Sequence, residues 1–364
     1  MTINRQLQQG KTKRVLEIDA LRGIAVLLMV FSHGLHWAYT GTSHDLISLF
    51  GSLSLGDLAT PIFFLASGFS LYFSLTKRLK KGLDPDTLQK HYLIRLSKLF
   101  LIGVSLSLAW GVLQAQAVTL FLLSCFTISC LRRQHFFTVH SYFPQLTLAT
   151  LSIHLLLSNL NLPPFWHDLL AGQFPLFAIL TLNSLGFYLA PRLQLGHSPY
   201  AYLGLGLSLA SIALLMGSTI SPLKRPGAPL SFLLLGIGLS FCLLSILIIC
   251  RRRKLFFFPY LAQIGKDALF LFIFHYLAFY VPLYVSGLLT KMDSTGALIF
   301  SSMMLITVLI TAQLRKRCYF SIYHIIDLIF LSIWTCLLLP LSNALPSKTE
   351  NYPLGNRKLV NGRY

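Results

Sequence analysis

Residues 18–37, IDALRGIAVLLMVFSHGLHW, decide how the whole chain is interpreted. The stretch has the length and apolar character of a membrane-spanning helix, which needs about 20 such residues. It nevertheless contains Asp19, Arg22, His33 and His36. A charged side chain near the middle of a bilayer costs at least about 2.5–3.5 kcal/mol, so such residues usually face protein or water and often mark function.

The composition of the complete chain agrees with a membrane protein. Its 364 residues are 55% hydrophobic and only 11% charged, whereas soluble domains average about 25% charged residues. We therefore predict an all-α, polytopic transmembrane helical bundle without a separate soluble domain. The expected organisation is a basic cytoplasmic segment at 1–14, a transmembrane domain at 15–345 and a polar tail at 346–364.

Apolar runs of about 18–22 residues predict about ten to eleven membrane spans. The fourth and fifth runs are short and lie between tight loops, so ten spans is the alternative to eleven. The predicted spans are 19–39, 54–76, 93–112, 114–131, 144–160, 171–190, 200–217, 228–250, 267–289, 296–314 and 324–343.

The distribution of charge predicts the orientation of these spans. When the spans alternate, most of the 30 Lys and Arg residues fall on the same side as the N-terminus. Because Lys and Arg concentrate in cytoplasmic loops, we expect a cytoplasmic N-terminus. The net charge of +19 does not predict a nucleic-acid partner, since the cations lie in short loops and not in one basic domain.

Other signals in the sequence exclude several classes of site. The six cysteines show no CxxC or metal-ligand spacing, so we expect neither a disulfide framework nor a metal site. No Walker, GxGxxG, HExxH or GxSxG motif is present, which disfavours a nucleotide-driven pump, a zinc protease and a serine hydrolase. The basic N-terminus looks like the start of a signal peptide, but Arg22 interrupts the apolar run and no A-x-A site follows, which favours an uncleaved first span.

Helix geometry relates the polar residues of the first span to one another. Arg22 and His33 are eleven residues apart, so about 1100° separates them, within about 20° of three full turns. They therefore share one face and lie about 16 Å apart along the axis. Asp19 is three residues before Arg22 and can pair with it.

Two interpretations of these residues remain open from the sequence. Arg22 could bind an anionic donor while His33 handles a proton near neutral pH. Alternatively, Asp19–Arg22 is a structural ion pair and His33 forms a hydrogen bond between helices. His36 fits an interfacial position, and the lone His275 on an apolar helix fits a structural hydrogen bond; a catalytic role is the alternative for each.

The first span also resembles a known family. IDALRGIAVLLMVFSH is similar to the opening helix of the membrane-bound acyltransferase superfamily, whose signature is an Arg, ten residues and a His, here Arg22 and His33. This superfamily contains the acyltransferase 3 proteins and the heparan-α-glucosaminide N-acetyltransferase-like family. Further stretches resemble its later helices: LGDLATPIFFLASGFSLYFS (55–74), FPLFAILTLNSLGFYLA (174–190) and LAQIGKDALFLFIFHYLAFY (261–280).

The resemblance implies an enzyme that transfers an acyl group, with acetyl expected, from cytoplasmic acyl-CoA to a hydroxyl or amine of an extracytoplasmic glycan or glycolipid. It implies catalytic roles for Arg22 and His33, with His44 as the alternative base. Asp57 is expected either to orient a catalytic histidine or to be a favourable charge at a helix start. The residues expected to meet the donor phosphates are Arg22, Arg95, Lys98 and Lys266.

Two departures qualify the resemblance. The stretch at 174–190 lacks the further Pro-Trp common in the family, and Arg95 and Lys98 stand where acyltransferase 3 proteins often have paired arginines.

The short loops favour a bacterial inner membrane. The alternative function is a multipass transporter or flippase, but such folds often contain paired repeats and broken helices, and we find no such pairing in the sequence.

Overall fold

The computed structural model of the chain describes residues 14–41, 46, 48–50, 53–133, 141–194 and 198–317. Nearly all of this part is helical, which confirms the predicted all-α class. The elements, in chain order, are α1 (Leu16–Ala38), β1 (Ser48–Phe50), β2 (Leu53–Ser54), a 3₁₀ helix (Leu55–Leu58), α2 (Ala59–Leu79), α3 (Pro85–Leu106), α4 (Val112–Arg133), α5 (Phe143–Leu157), α6 (Pro164–Leu170), α7 (Leu176–Gln194), α8 (Pro199–Thr219), α9 (Leu230–Arg252), α10 (Phe258–Lys266), α11 (Ala268–His275), a π-helical turn (Tyr276–Tyr280), α12 (Val281–Val285) and α13 (Ser294–Arg317).

Within the described residues, eight helical segments are long and apolar enough to cross a membrane, so the protein is an integral, multi-pass membrane protein. Each corresponds to a span predicted from the sequence. They are Leu16–Ala38, Leu55–Leu79, Val112–Arg132, Leu176–Leu193, Pro199–Thr219, Leu230–Arg252, Ala268–Val285 and Ser294–Arg315.

Three other predicted spans differ from this set. The run at 93–112 belongs to α3, which begins at Pro85 because Asp84 caps the helix by accepting a hydrogen bond from the Thr87 amide at 2.9 Å. The charged residues of this early start leave α3 less apolar than the eight segments. The run at 144–160 is α5, an apolar helix of 15 residues, and 324–343 lies outside the described residues.

Helix α1 lies at the centre of the described bundle. It packs against α2, α9, α10, α11 and α13. Its crossing with α10 is very close, because a Cβ atom on Gly265 would lie only 1.6 Å from the Asp19 carbonyl oxygen. A Cβ atom on Gly23 would likewise lie 2.2 Å from the Leu261 carbonyl oxygen. Small residues allow membrane helices this approach, and here they fix which face of α1 meets α10.

The outer helices present apolar side chains away from the bundle. Leu207 and Leu215 on α8 are exposed, as are Met303 and Ile306 on α13. Exposed residues of this kind suit lipid tails, which are as apolar as the side chains themselves. The polar groups described next instead lie around the buried central helix.

Candidate active site

The N-terminal end of α1 carries a buried carboxylate between two arginines. Asp19 is 4% exposed, and its Oδ1 accepts hydrogen bonds from Arg22 Nη2 at 2.5 Å and from Arg14 Nη2 at 3.0 Å. This confirms the Asp19–Arg22 pairing expected from their spacing. The hydrogen bond to Asp19 raises the pKa of Arg14, which precedes the span. Arg22 Nε is buried and has no hydrogen-bond partner among the described residues.

Further cations lie at this same end. Arg95 on α3 is exposed and lies within electrostatic range of Arg22, so the structure brings together two of the residues expected to bind the donor. Burial lowers the pKa of His91 on α3, and the charges of Arg78 and Arg95 lower it further. The shift of the His91 pKa therefore reflects both burial and a positive local field at this part of α3.

The remaining residues expected at the donor end are less tightly connected to Arg22. Lys98 is partly buried on α3, three residues after Arg95. Lys266 is exposed and directly follows Gly265, which packs against the Asp19 backbone. Lys266 thus lies beside the cluster, at the crossing of α1 and α10.

Eleven residues farther along α1, His33 contacts a second histidine from another part of the chain. His33 Nδ1 lies 2.9 Å from His275 Nε2, and His275 Nδ1 lies 3.1 Å from the Leu271 carbonyl oxygen. A carbonyl oxygen can only accept, so the neutral His275 ring has its hydrogen on Nδ1 and an acceptor at Nε2. His33 consequently donates from Nδ1.

This chain of hydrogen bonds assigns the second nitrogen of His33. Its Nε2 carries a lone pair and makes no hydrogen bond to any described residue. His275 is fully buried, whereas His33 is partly exposed. The arrangement is that of a general base whose tautomer is fixed by a buried partner.

Aromatic rings enclose the histidine pair. Trp37 stacks on His275 with ring centroids 5.4 Å apart and lies 5.1 Å from His33. Tyr276 packs edge-on against His33 at 5.7 Å and opens the π-helical turn that follows His275. Such turns within membrane or soluble helices are frequent at functional sites. Here the turn and the rings form an apolar wall around the histidine pair.

Asp57 lies near His33 but contacts other groups. Its Oδ2 accepts hydrogen bonds from the amide and hydroxyl of Ser54, both at 2.9 Å, in a capping box. Its Oδ1 lies 3.4 Å from Arg225 Nη1. A Cβ atom on Gly56 would lie 2.1 Å from Ser32, so this turn packs against α1 directly beside His33. Asp57 therefore has the helix-start role expected of it.

Two further histidines of the first span and the loop after it are candidates from the sequence. His44 lies outside the described residues, and His36 is exposed. As for metal ligands, no group of three or more His, Cys, Asp or Glu side chains that could hold an ion occurs in the described ranges.

Sequence reasoning missed several residues of this site. Trp37 follows His33 by four residues, so its position on the same helix face was accessible from spacing alone. In the sequence, Arg225 is one cation of a predicted outer loop, and His275 fits a structural hydrogen bond better than a catalytic role. No local signal connects either of them to α1, because both reach His33 or Asp57 from distant parts of the chain.

The fold and the site together define a polytopic membrane protein with a cationic end and a histidine pair along one central helix. Residues 14–194, about half of the chain, match the family described as heparan-alpha-glucosaminide N-acetyltransferase, catalytic. The chain belongs to this family of membrane acyltransferases and is an acetyltransferase-type enzyme. No curated protein matches the sequence.

The matched segment contains only part of the site. It runs from the start of α1 to the end of α7 and includes Asp19, Arg22, His33, Asp57 and Arg95. His275 and Arg225 lie beyond it, so the later helices complete the site.

Proposed function

We propose that this protein is an acyltransferase of a bacterial inner membrane, which moves an acyl group from cytoplasmic acyl-CoA to a hydroxyl or amine of an extracytoplasmic glycan or glycolipid. Acetyl is the expected acyl group, and glucosamine is the acceptor suggested by the name of the matching family. The observation that carries the proposal is the hydrogen bond of 2.9 Å between His33 and His275, which leaves His33 Nε2 able to accept a proton.

The cationic end of α1 supports the choice of donor. Acyl-CoA supplies an activated thioester and carries several phosphates. The forked guanidinium of Arg22 suits phosphate oxygens, and its buried Nε, which has no hydrogen-bond partner among the described residues, offers a donor to them. Arg14, Arg95, Lys98 and Lys266 add positive charge around it. A cytoplasmic position of this end also agrees with the concentration of Lys and Arg there.

The separation of Arg22 and His33 fits transfer along the helix. About 16 Å of helix lies between them, which is too far for direct contact but suits an elongated donor held at one end and reacting at the other. His33 Nε2 takes the proton from the acceptor hydroxyl or amine as the acceptor attacks the acyl carbon. His33 then returns this proton to the departing thiolate, so that the base ends the cycle neutral.

Direct transfer and a covalent acyl-histidine intermediate both use the same Nε2 lone pair. His44 remains the alternative base. The aromatic wall formed by Trp37 and Tyr276 limits water around His33, which favours transfer over hydrolysis.

The test is acetyl-CoA turnover by proteoliposomes with glucosamine as the acceptor, measured as thiol release. Acetyl-CoA is added to one side of the vesicle and glucosamine to the other, in each arrangement. Arg22→Ala should raise the KM for acetyl-CoA, and His33→Ala should lower kcat by about 10²–10⁴. Arg192→Ala is the control, because Arg192 lies over the Tyr188 ring on α7 and outside the site.

The outcomes separate the alternatives. If the wild type consumes no acetyl-CoA with glucosamine or other glycan acceptors, the proposed function is wrong. If His44→Ala is inactive while His33→Ala is active, His44 is the base. Turnover that requires donor and acceptor on the same side would contradict transfer across the membrane.

A further inference from the structure

The guanidinium of Arg225 is held in place by several groups at once. Its Nε and Nη2 donate to Gln173 Oε1 at 3.0 and 2.8 Å. The same group lies over the Phe174 ring, 5.6 Å from its centroid, and its Nη1 faces Asp57 at 3.4 Å. The side chain still remains 32% exposed. Arg225 is therefore a fixed and accessible donor, unlike a solvated loop arginine.

The backbone that carries Arg225 is also constrained. Gly227 and Ala228 both have positive φ, at 77° and 40°, and an alanine rarely adopts this conformation. The Gly227 amide donates to the Gly172 carbonyl at 2.9 Å, and the fully buried His154 donates from Nε2 to the Ala228 carbonyl at 3.0 Å. Strain that the surroundings hold in place is often found at functional sites.

This fixed group lies at the reacting end of α1. Asp57, which faces Arg225, belongs to the turn that packs through Gly56 against Ser32, the residue before His33. Arg225 also lies within electrostatic range of His33. A molecule that brings a hydroxyl or amine to His33 Nε2 would therefore have Arg225 at its side.

The charges indicate which kind of group Arg225 would bind. Arginine only donates hydrogen bonds, so its ligand must offer an acceptor oxygen. Because the buried carboxylate of Asp57 lies against the same guanidinium, the two charges compensate each other, and an anionic ligand would also meet Asp57. An uncharged oxygen, such as a sugar hydroxyl, ring oxygen or acetamido carbonyl, suits this pair better than a carboxylate or phosphate.

We infer that Arg225 forms, with Asp57 and Gln173, a subsite for an uncharged sugar unit of the acceptor. This inference rests on the proposed function, since it assigns the acceptor to the same end of α1 as His33. Arg225 binds the acceptor in this scheme, whereas His33 moves the proton.

The experiment compares two ligands that differ in a single group. Methyl glucoside carries a hydroxymethyl group where methyl glucuronide carries a carboxylate. Binding of each to the purified protein in lipid nanodiscs is measured by calorimetry, for the wild type and for Arg225→Gln, Arg225→Lys and Asp57→Asn. Arg192→Gln is the matched control, because it too removes an arginine that lies over an aromatic ring. Thermal unfolding of each variant is recorded in parallel.

The wild type should bind the glucoside more tightly than the glucuronide. Arg225→Gln should weaken glucoside binding by about tenfold or more, as expected for the loss of a hydrogen bond from a charged group, and Arg225→Lys should weaken it less. Asp57→Asn should shift the preference toward the glucuronide, because it leaves the Arg225 charge uncompensated. Arg192→Gln should bind both ligands as the wild type does.

A wild type that binds neither glycoside, or that prefers the glucuronide, would overturn the inference. So would a folded Arg225→Gln and a folded Arg225→Lys that both bind the glucoside normally. Acetyl-CoA consumption with glucosamine is measured on the same samples. If the binding pattern holds but no acetyl-CoA is consumed, the acyl transfer is wrong and the sugar subsite stands; the reverse result rejects the subsite alone.

Discussion

Replacing His275 tests whether this residue fixes the reactive tautomer of His33. His275 Nε2 accepts the hydrogen bond from His33 Nδ1 at 2.9 Å, while Leu271 holds the other side of the His275 ring. His275→Phe keeps an aromatic ring in the buried position but removes the acceptor. His275→Gln removes the ring but places an amide oxygen of similar reach that can accept from His33.

The size of the effect follows from the hydrogen bond that is lost. A neutral hydrogen bond contributes about 0.5–1.5 kcal/mol net, which at its upper end corresponds to about a tenfold change in the population of the required tautomer. Loss of ring orientation adds to this, since residues that orient a reactive histidine through its other nitrogen typically contribute about 10–100-fold. We therefore expect His275→Phe to lower kcat by about 10–100-fold, less than His33→Ala, and His275→Gln to lower it less again.

The assay is the initial rate of thiol release from saturating acetyl-CoA, with glucosamine as the acceptor, in proteoliposomes. The KM for acetyl-CoA should remain unchanged, because His275 contacts His33, which lies about 16 Å from Arg22 along α1. His167→Phe is the control, since His167 is an exposed histidine on α6. A folded His275→Phe with the kcat of the wild type would refute the proposal that His275 fixes the tautomer of His33. A loss in His275→Gln equal to that in His33→Ala would make His275 a direct participant.

Two further predictions concern the cationic end of α1, and both are measured by unfolding in mixed micelles. Asp19→Asn should destabilise the protein by about 3 kcal/mol. This value is at the lower end of the range for buried pairs, because Arg14 is half exposed. Glu17→Gln breaks a more exposed pair with Arg251 and should cost about 1 kcal/mol or less. Equal effects of these two changes would contradict the burial argument. Gly265→Ala should lower the free energy of unfolding by about 1–3 kcal/mol and raise the KM for acetyl-CoA. Its Cβ would lie 1.6 Å from the Asp19 carbonyl oxygen, so α1 and α10 must move apart. Gly204→Ala on α8 meets nothing within 4 Å and should be neutral, so similar behaviour of the two alanine variants would reject a tight crossing.

Local sequence features predicted much of the fold. The free energy of moving an apolar run into lipid depends on the residues of that run alone. Hydropathy therefore predicted the eight segments that are long and apolar enough to be spans in the structure. The Asp19–Arg22 pair followed from a separation of three residues within one helix. The start of α3 was also present in the sequence, since Asp84 followed by Pro85 is a typical helix beginning that the apolar pattern alone overlooked.

The active site depended on contacts that no local pattern contains. His33 and His275 are 242 residues apart in the chain, and Arg225 reaches Asp57 from a loop after α8. A lone histidine on an apolar helix has the same local sequence whether it orients a base or only forms a structural hydrogen bond. Only the tertiary structure gives a hydrogen-bond partner to each of the two nitrogens of His275.

The sequence by itself thus determined that this protein is a membrane-embedded helical bundle and that one helix carries both Arg22 and His33. Hydropathy and helix periodicity are properties of consecutive residues, and the bilayer acts on each span separately. Only the tertiary structure decided that His275 fixes the His33 tautomer and that Arg225 stands beside it. Those pairings depend on which helix faces pack together, and here close backbone approaches, at Gly265 against Asp19 and at Gly56 against Ser32, set them.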